Sequence, residues 1–100
     1  MKIIKKISEM IEDEVEGAEC YAKKAVMYKE ELPTIGKMFY QLANDELGHV
    51  DTLHNAVVGL IKDYREEYGD PPEAMKAVYD YLHEKQISKV AEVKAMLAKY

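Results

Sequence analysis

The sequence predicts an all-α protein, an antiparallel two-helix hairpin followed by a third helix. Between its few Pro and Gly residues the chain is rich in Ala, Glu, Lys, Leu and Met, which favour helices. No segment alternates apolar and polar residues as a half-buried strand does, and no Asn-Gly turn occurs. The three Pro residues lie at position 33 and in the segment 68–73, so they divide the chain into three helices. One hundred residues support one domain, which we place at 1–100.

The first two helices are predicted over about 2–31 and about 33–68. Pro33 suits the first turn of a helix, where its missing N–H costs nothing. Gly69 can take the left-handed conformation that ends helix 2. Because the connection between the two helices is very short, they must run antiparallel.

Helix 3 is predicted over about 71–99. Asp70 would cap its first turn, Pro71 would take the first helical position, and Glu73 would complete a capping box. A two-helix hairpin cannot bury both of its apolar stripes by itself, so a third helix or a second copy must cover them. We therefore expect a homodimer, or a higher homo-oligomer, in which two hairpins form a four-helix bundle.

Charge and composition exclude several classes of partner. The 14 Lys and Arg against 19 Asp and Glu give a formal net charge of −5, and a pI near 5.2 argues against a nucleic-acid partner. No apolar run approaches the roughly 18–20 residues of a membrane span, and no signal-peptide cleavage site follows the basic N-terminus. We expect a cytoplasmic protein with no membrane partner. The single cysteine excludes an internal disulfide and a multi-cysteine metal site.

Three ionisable residues interrupt the stripes along which helices 1 and 2 should pack. In steps of three and four residues, the helix 1 stripe reads Ile3, Ile7, Met10, Glu14, Ala18, Tyr21, Ala25 and Tyr28. The helix 2 stripe reads Ile35, Phe39, Leu42, Glu46, His49, Leu53, Ala56 and Leu60. A buried charge is costly unless it is paired or bound to a metal, so Glu14, Glu46 and His49 need a partner.

Glu46 and His49 lie three residues apart, so they project to the same side of helix 2. Glu14 would lie at a similar distance from the helix 1–helix 2 connection if the last turn of helix 1 belonged to the loop. Two carboxylates and an imidazole suit a hard or borderline divalent cation such as Fe²⁺ or Mn²⁺. Two alternatives stay open. One is a non-enzymatic helical interaction or structural module in which the three residues form an internal polar cluster that fixes register. The other is a metal sensor or chaperone.

The pattern of these residues resembles a known family. Glu14 is followed seven residues later by Tyr21, and helix 2 reads Phe39-x-x-Leu42-Ala43-x-x-Glu46-x-x-His49. Over residues 10–55 this resembles the ferritin-like di-iron proteins, rubrerythrin in particular, and the half-size encapsulated ferritins. The resemblance implies that Glu14, Glu46 and His49 are metal ligands and that Tyr21 supports catalysis by hydrogen-bonding near the metal. It also implies a di-iron centre completed by two copies of the chain, which would oxidise Fe²⁺ with O₂ or peroxide.

The sequence departs from that family in three respects. It has no Cys-x-x-Cys pairs for electron entry and no second Glu-x-x-His in its later helix. Residues 94–100 also do not look like the extended tail that directs cargo into an encapsulin shell. On helix 3, His83 and Glu84 are interpreted as a surface or interface pair, with an additional metal ligand as the alternative. His54 and Asp51 are expected to be solvated.

Overall fold

A computed structural model describes residues 2–100 as three helices with no strand among them: α1 (Lys2–Tyr28), α2 (Pro33–Tyr68) and α3 (Glu73–Ala98). The all-α prediction is confirmed. The helices form a rod with principal dimensions of 55 × 18 × 18 Å. Within the described residues, no helix combines the length and the apolar character that crossing a bilayer requires.

The connection between α1 and α2 is a tight turn. α1 ends at Tyr28, three residues earlier than predicted, and residues 29–31 form a turn. The Leu32 N–H donates to the Tyr28 carbonyl over 3.0 Å. Pro33 is the first residue of α2, as predicted. A Cβ at Gly36 would lie 3.1 Å from the backbone of Ala25 and Lys29, so glycine is what lets the two helices approach here.

The second connection is partly different from the prediction. Gly69 ends α2 with a positive φ of 80°, and its N–H donates to the Arg65 carbonyl. The capping box of Asp70 and Glu73 is wrong: Pro72 occupies the N-cap of α3, no side chain caps it, and Glu73 is the first helical residue. The reason lies in the Pro71-Pro72 pair. A residue that precedes proline is pushed towards extended backbone, so Pro71, which precedes Pro72, does not take the first helical position that was predicted for it.

The buried residues are apolar throughout the described chain, apart from one glycine. They are Ile4, Ile11, Val15, Ala18, Ala22 and Ala25 on α1, Gly36, Ala43, Leu47 and Val50 on α2, and Val93 and Leu97 on α3. Most of them stand one position later in the chain than a residue of the predicted stripes. Ile3 and Met10, which belong to the predicted stripe of helix 1, are 48% and 46% exposed. The shift arises because α1 packs against both α2 and α3, so its buried stripe points between them.

α3 covers only one side of the hairpin, mainly through its C-terminal part. Val93 and Leu97 pack with Ala18, Ala22, Ala43 and Leu47. The Lys89 ammonium donates to Glu19 over 2.9 Å, and the Gln86 amide donates to the Ser8 carbonyl over 3.3 Å. We call the opposite side the open face. It is formed by Met10, Glu14, Gly17 and Tyr21 of α1 and by Phe39, Leu42, Glu46, His49 and Leu53 of α2, all half-buried or exposed.

Candidate metal centre

The structure brings the three predicted ligands together. Glu14 on α1 and Glu46 and His49 on α2 each offer one ligand atom, and these atoms all lie within 4.8 Å of one another. His49 Nδ1 lies 3.4 Å from Glu14 Oε2 and 3.9 Å from Glu46 Oε2. The two carboxylates and one ring nitrogen thus converge on a space that one cation could fill.

The short α1–α2 turn places Glu14 and Glu46 at the same height along the hairpin. Glu14 lies fourteen residues before the last residue of α1, and Glu46 lies thirteen residues after the first residue of α2. At a rise of about 1.5 Å per residue, both therefore lie roughly 20 Å from the turn. The early end of α1 at Tyr28 produces this match, which the predicted end at residue 31 would not.

Gly17 lies directly opposite Glu46, a contact that the sequence reasoning missed. Gly17 lies three residues after Glu14, on the same side of α1. A Cβ there would lie 3.6 Å from Glu46 Oε2, so the carboxylate of Glu46 rests against the α1 backbone beside Glu14. The signal was a glycine inside a helical pattern, away from either helix end.

The cluster lies on the open face rather than in the sealed core. The side chains of Glu14, Glu46 and His49 are 30%, 23% and 60% exposed. Water and ions therefore reach all three side chains in the single chain. Partial exposure also leaves room for further ligands beyond the three that one chain provides.

Tyr21 lies on the same face, two turns beyond Glu14. Its ring stacks on Phe39 with the centroids 6.1 Å apart, and Tyr28 stacks on the same Phe39 ring at the same distance. Among the hydrogen bonds of residues 2–100, none joins the Tyr21 hydroxyl to the three clustered side chains. The role of Tyr21 near a metal stays a prediction.

The donor atoms of the cluster fit a hard or borderline divalent cation. Two carboxylates would neutralise the charge of one such ion, and the imidazole adds the nitrogen ligand that iron and manganese accept. The octahedral coordination that such ions often take needs more ligands than these three groups supply, so water or further protein groups would complete it.

The remaining histidines lie together elsewhere. His54, expected to be solvated, is half-buried on α2, and its ring lies against that of His83 on α3 with the centroids 4.9 Å apart. Glu84 and Asp51 are exposed. No spacing rule reveals this pair, because the two histidines are far apart in the chain and meet only through the packing of α3.

Comparisons of the chain with protein families, with curated proteins and with solved structures find no match. The functional conclusion therefore rests on the geometry of the side chains.

Proposed function

We propose that this chain is a half-size ferritin-like protein that binds a dinuclear iron centre as a homodimer and oxidises Fe²⁺. The convergence of the Glu14, Glu46 and His49 ligand atoms within 4.8 Å of one another carries the proposal. The residues stand at the positions of the ferritin-like pattern that the sequence resembles. Manganese is the other metal that the same donor atoms suit.

The homodimer follows from the number of ligands. One chain supplies two carboxylates and one imidazole, which is half of the set that a dinuclear site in this class uses. A second copy related by a two-fold axis would place its own three residues opposite, because such an interface pairs a surface with itself. The four carboxylates would then balance the charge of two Fe²⁺ ions.

The apolar side chains around the cluster favour a second copy as the covering partner. Met10 and Ile35 are 46% and 38% exposed, and Phe39, Leu42 and Leu53 are only half-buried. Apolar side chains that flank a polar cluster are typical of a surface that another protein covers. Covering them would also shield the centre from bulk water.

In the reaction Fe²⁺ is the substrate, and the protein holds it and balances its charge. Each Fe²⁺ loses one electron. With hydrogen peroxide, two Fe²⁺ supply two electrons and solvent supplies two protons, so the O–O bond breaks and two waters leave. Glu14 and Glu46 stabilise the higher charge of the Fe³⁺ product, and His49 fixes the position of the ion through a ring nitrogen.

The test is the substitution Glu46→Ala, with Asp45→Ala as a matched control at the adjacent exposed carboxylate. Protein freed of metal with a chelator and then titrated with Fe²⁺ under anaerobic conditions should bind two ions per dimer. We expect Asp45→Ala to keep that stoichiometry and the rate of Fe²⁺ oxidation, and Glu46→Ala to lose both.

Two results would overturn the proposal. One is retention of two metal ions per dimer by Glu46→Ala. The other is a wild-type protein whose melting temperature neither Fe²⁺ nor Mn²⁺ changes, which would favour the interaction module with a polar cluster instead.

A further inference from the structure

The second cluster of interest is the histidine pair between α2 and α3. The rings of His54 and His83 are tilted by 47° with their centroids 4.9 Å apart. The two side chains stand between adjoining cavities of about 300 and 230 Å³, and both line both cavities. The two cavities leave open space beside both rings.

Oxygen donors flank the two rings. Asp51 lies three residues before His54 and lines the first cavity, and Asp80 lies three residues before His83 and lines the second. Helical side chains three residues apart lie on the same face, so each carboxylate stands on the side of its helix that carries the histidine. Within residues 2–100 neither carboxylate joins both imidazoles within 4.8 Å, so a bound ion would have to draw a carboxylate or a water in as a further ligand. Ser8 and Ile11 of α1 also line these cavities, and neither carries a charge. Tyr79, Gln86 and Lys94 of α3 complete the polar lining.

We propose that His54 and His83 form a second metal site, of the kind that takes Zn²⁺, and that it clamps α3 to α2. Two imidazole nitrogens, with a carboxylate or water in the remaining positions, suit the tetrahedral coordination of Zn²⁺. Its donors differ from those of the Glu14 cluster, where oxygen dominates. The chain would thus carry an oxygen-rich site on its open face and a nitrogen-rich site between α2 and α3.

The packing of α3 gives this clamp a structural effect. Between Glu73 and Glu92 the helix contributes no buried residue, and its two buried residues, Val93 and Leu97, lie near its C-terminus. The histidine pair lies within this weakly packed part. A bound ion would join α2 and α3 where side-chain burial does not, and would slow the local opening of α3.

The three histidines of the chain permit a clean test, because each can be removed singly. Metal-free protein is titrated with Zn²⁺ by calorimetry in wild type, His54→Ala, His83→Ala and His49→Ala. We expect the first two variants to weaken a Zn²⁺ site by at least about tenfold, by loss of one of its two nitrogen ligands. His49→Ala should keep that site. Because His83 is exposed, its substitution carries little risk to the fold.

Hydrogen exchange measures local opening of α3, which Zn²⁺ bound adventitiously elsewhere on the chain would not change. With Zn²⁺, the amides of residues 73–92 should exchange more slowly in wild type and in His49→Ala, and at an unchanged rate in His83→Ala. Unaltered Zn²⁺ affinity in both His54→Ala and His83→Ala would overturn the proposal, as would the absence of Zn²⁺ binding by wild type. Fe²⁺ oxidation should persist in His83→Ala, so failure of this site and failure of the iron site are distinguishable.

Discussion

The two sides of the α1–α2 hairpin differ in what they do. On the side that α3 covers, Ala18, Ala22, Ala43 and Val93 are fully buried, and small side chains bring the helices together. On the open face, the same two helices present partly exposed carboxylates and a histidine among half-buried apolar residues. The covered side packs the hairpin against α3, whereas the open face leaves its polar and apolar side chains accessible.

Two leucines of α2 offer the sharpest contrast between these sides. Leu47 belongs to the buried cluster with Val93 and Leu97, whereas Leu42 is half-buried on the open face. Leu47→Ala should lower the free energy of unfolding by about 2–5 kcal/mol, because it leaves a cavity under α3. Leu42→Ala should cost clearly less in dilute protein. Denaturant unfolding of both variants measures the difference.

The proposed homodimer predicts a second difference between Leu42 and Leu47. Leu42→Ala should weaken self-association in sedimentation experiments, and Leu47→Ala should not do so while the protein remains folded. Equal destabilisation of the dilute chain by the two substitutions would mean that the open face contributes as much to folding as the covered side does.

Two glycines of α2 differ in how closely other atoms approach them. Gly36→Ala would place a Cβ 3.1 Å from backbone atoms of Ala25 and Lys29, which would have to shift, so we expect a loss of about 1–3 kcal/mol of stability. At Gly48 an added Cβ meets no atom within 4 Å. Gly48→Ala should therefore gain up to about 1 kcal/mol from the better helix propensity of alanine. Thermal unfolding of both variants tests the prediction, and a gain in both would contradict the close approach at Gly36.

A large side chain at position 17 should weaken metal binding while changing stability little. Gly17→Leu should push the Glu46 carboxylate away from Glu14, because even a Cβ reaches within 3.6 Å of it. We expect Fe²⁺ affinity to fall by about tenfold or more, while stability changes by less than about 1 kcal/mol, since leucine favours helix more than glycine does. Gly17→Ala, whose Cβ makes an ordinary contact, is the control. Unchanged Fe²⁺ affinity in Gly17→Leu would remove this glycine from the site.

The smallest effect is expected at an ion pair that joins α3 to α1. Hydrogen bonds from Lys89 and then Lys23 hold the pKa of the Glu19 carboxyl below its ordinary value of 4.5. A lowered folded-state pKa means that this stabilisation is complete above the ordinary pKa and is lost as the pH falls through the folded-state pKa. Glu19→Gln should therefore unfold with a slightly weaker dependence on pH on the acid side. An identical acid profile for wild type and Glu19→Gln would contradict this assignment.

Local sequence rules predicted the parts of the molecule that depend on neighbours along the chain. Pro33 and Gly69 mark helix ends because their backbone preferences act where they stand. The convergence of Glu46 and His49 follows from a spacing of three residues on one helix. The capping box at Asp70 failed because the rule for caps took no account of two consecutive prolines.

Other features depend on how the helices are rotated about their axes, which spacing does not determine. The buried stripe of α1 differs from the predicted one because α3 adds a second neighbour. The role of Gly17 depends on which α2 side chain lies opposite it. The pairing of His54 with His83 depends on how α3 lies across the hairpin, so only the three-dimensional structure reveals it.

The off-centre position of the Glu14 cluster has a consequence for the outline of a dimer. The cluster lies roughly 20 Å from the turn and roughly 33 Å from the far end of α2. Two antiparallel rods that bring their clusters together must therefore be staggered, and the pair would be roughly a quarter longer than one chain of 55 Å. Two parallel rods would keep the length of a single chain. The maximum dimension seen by small-angle X-ray scattering would thus report the relative direction of the two copies.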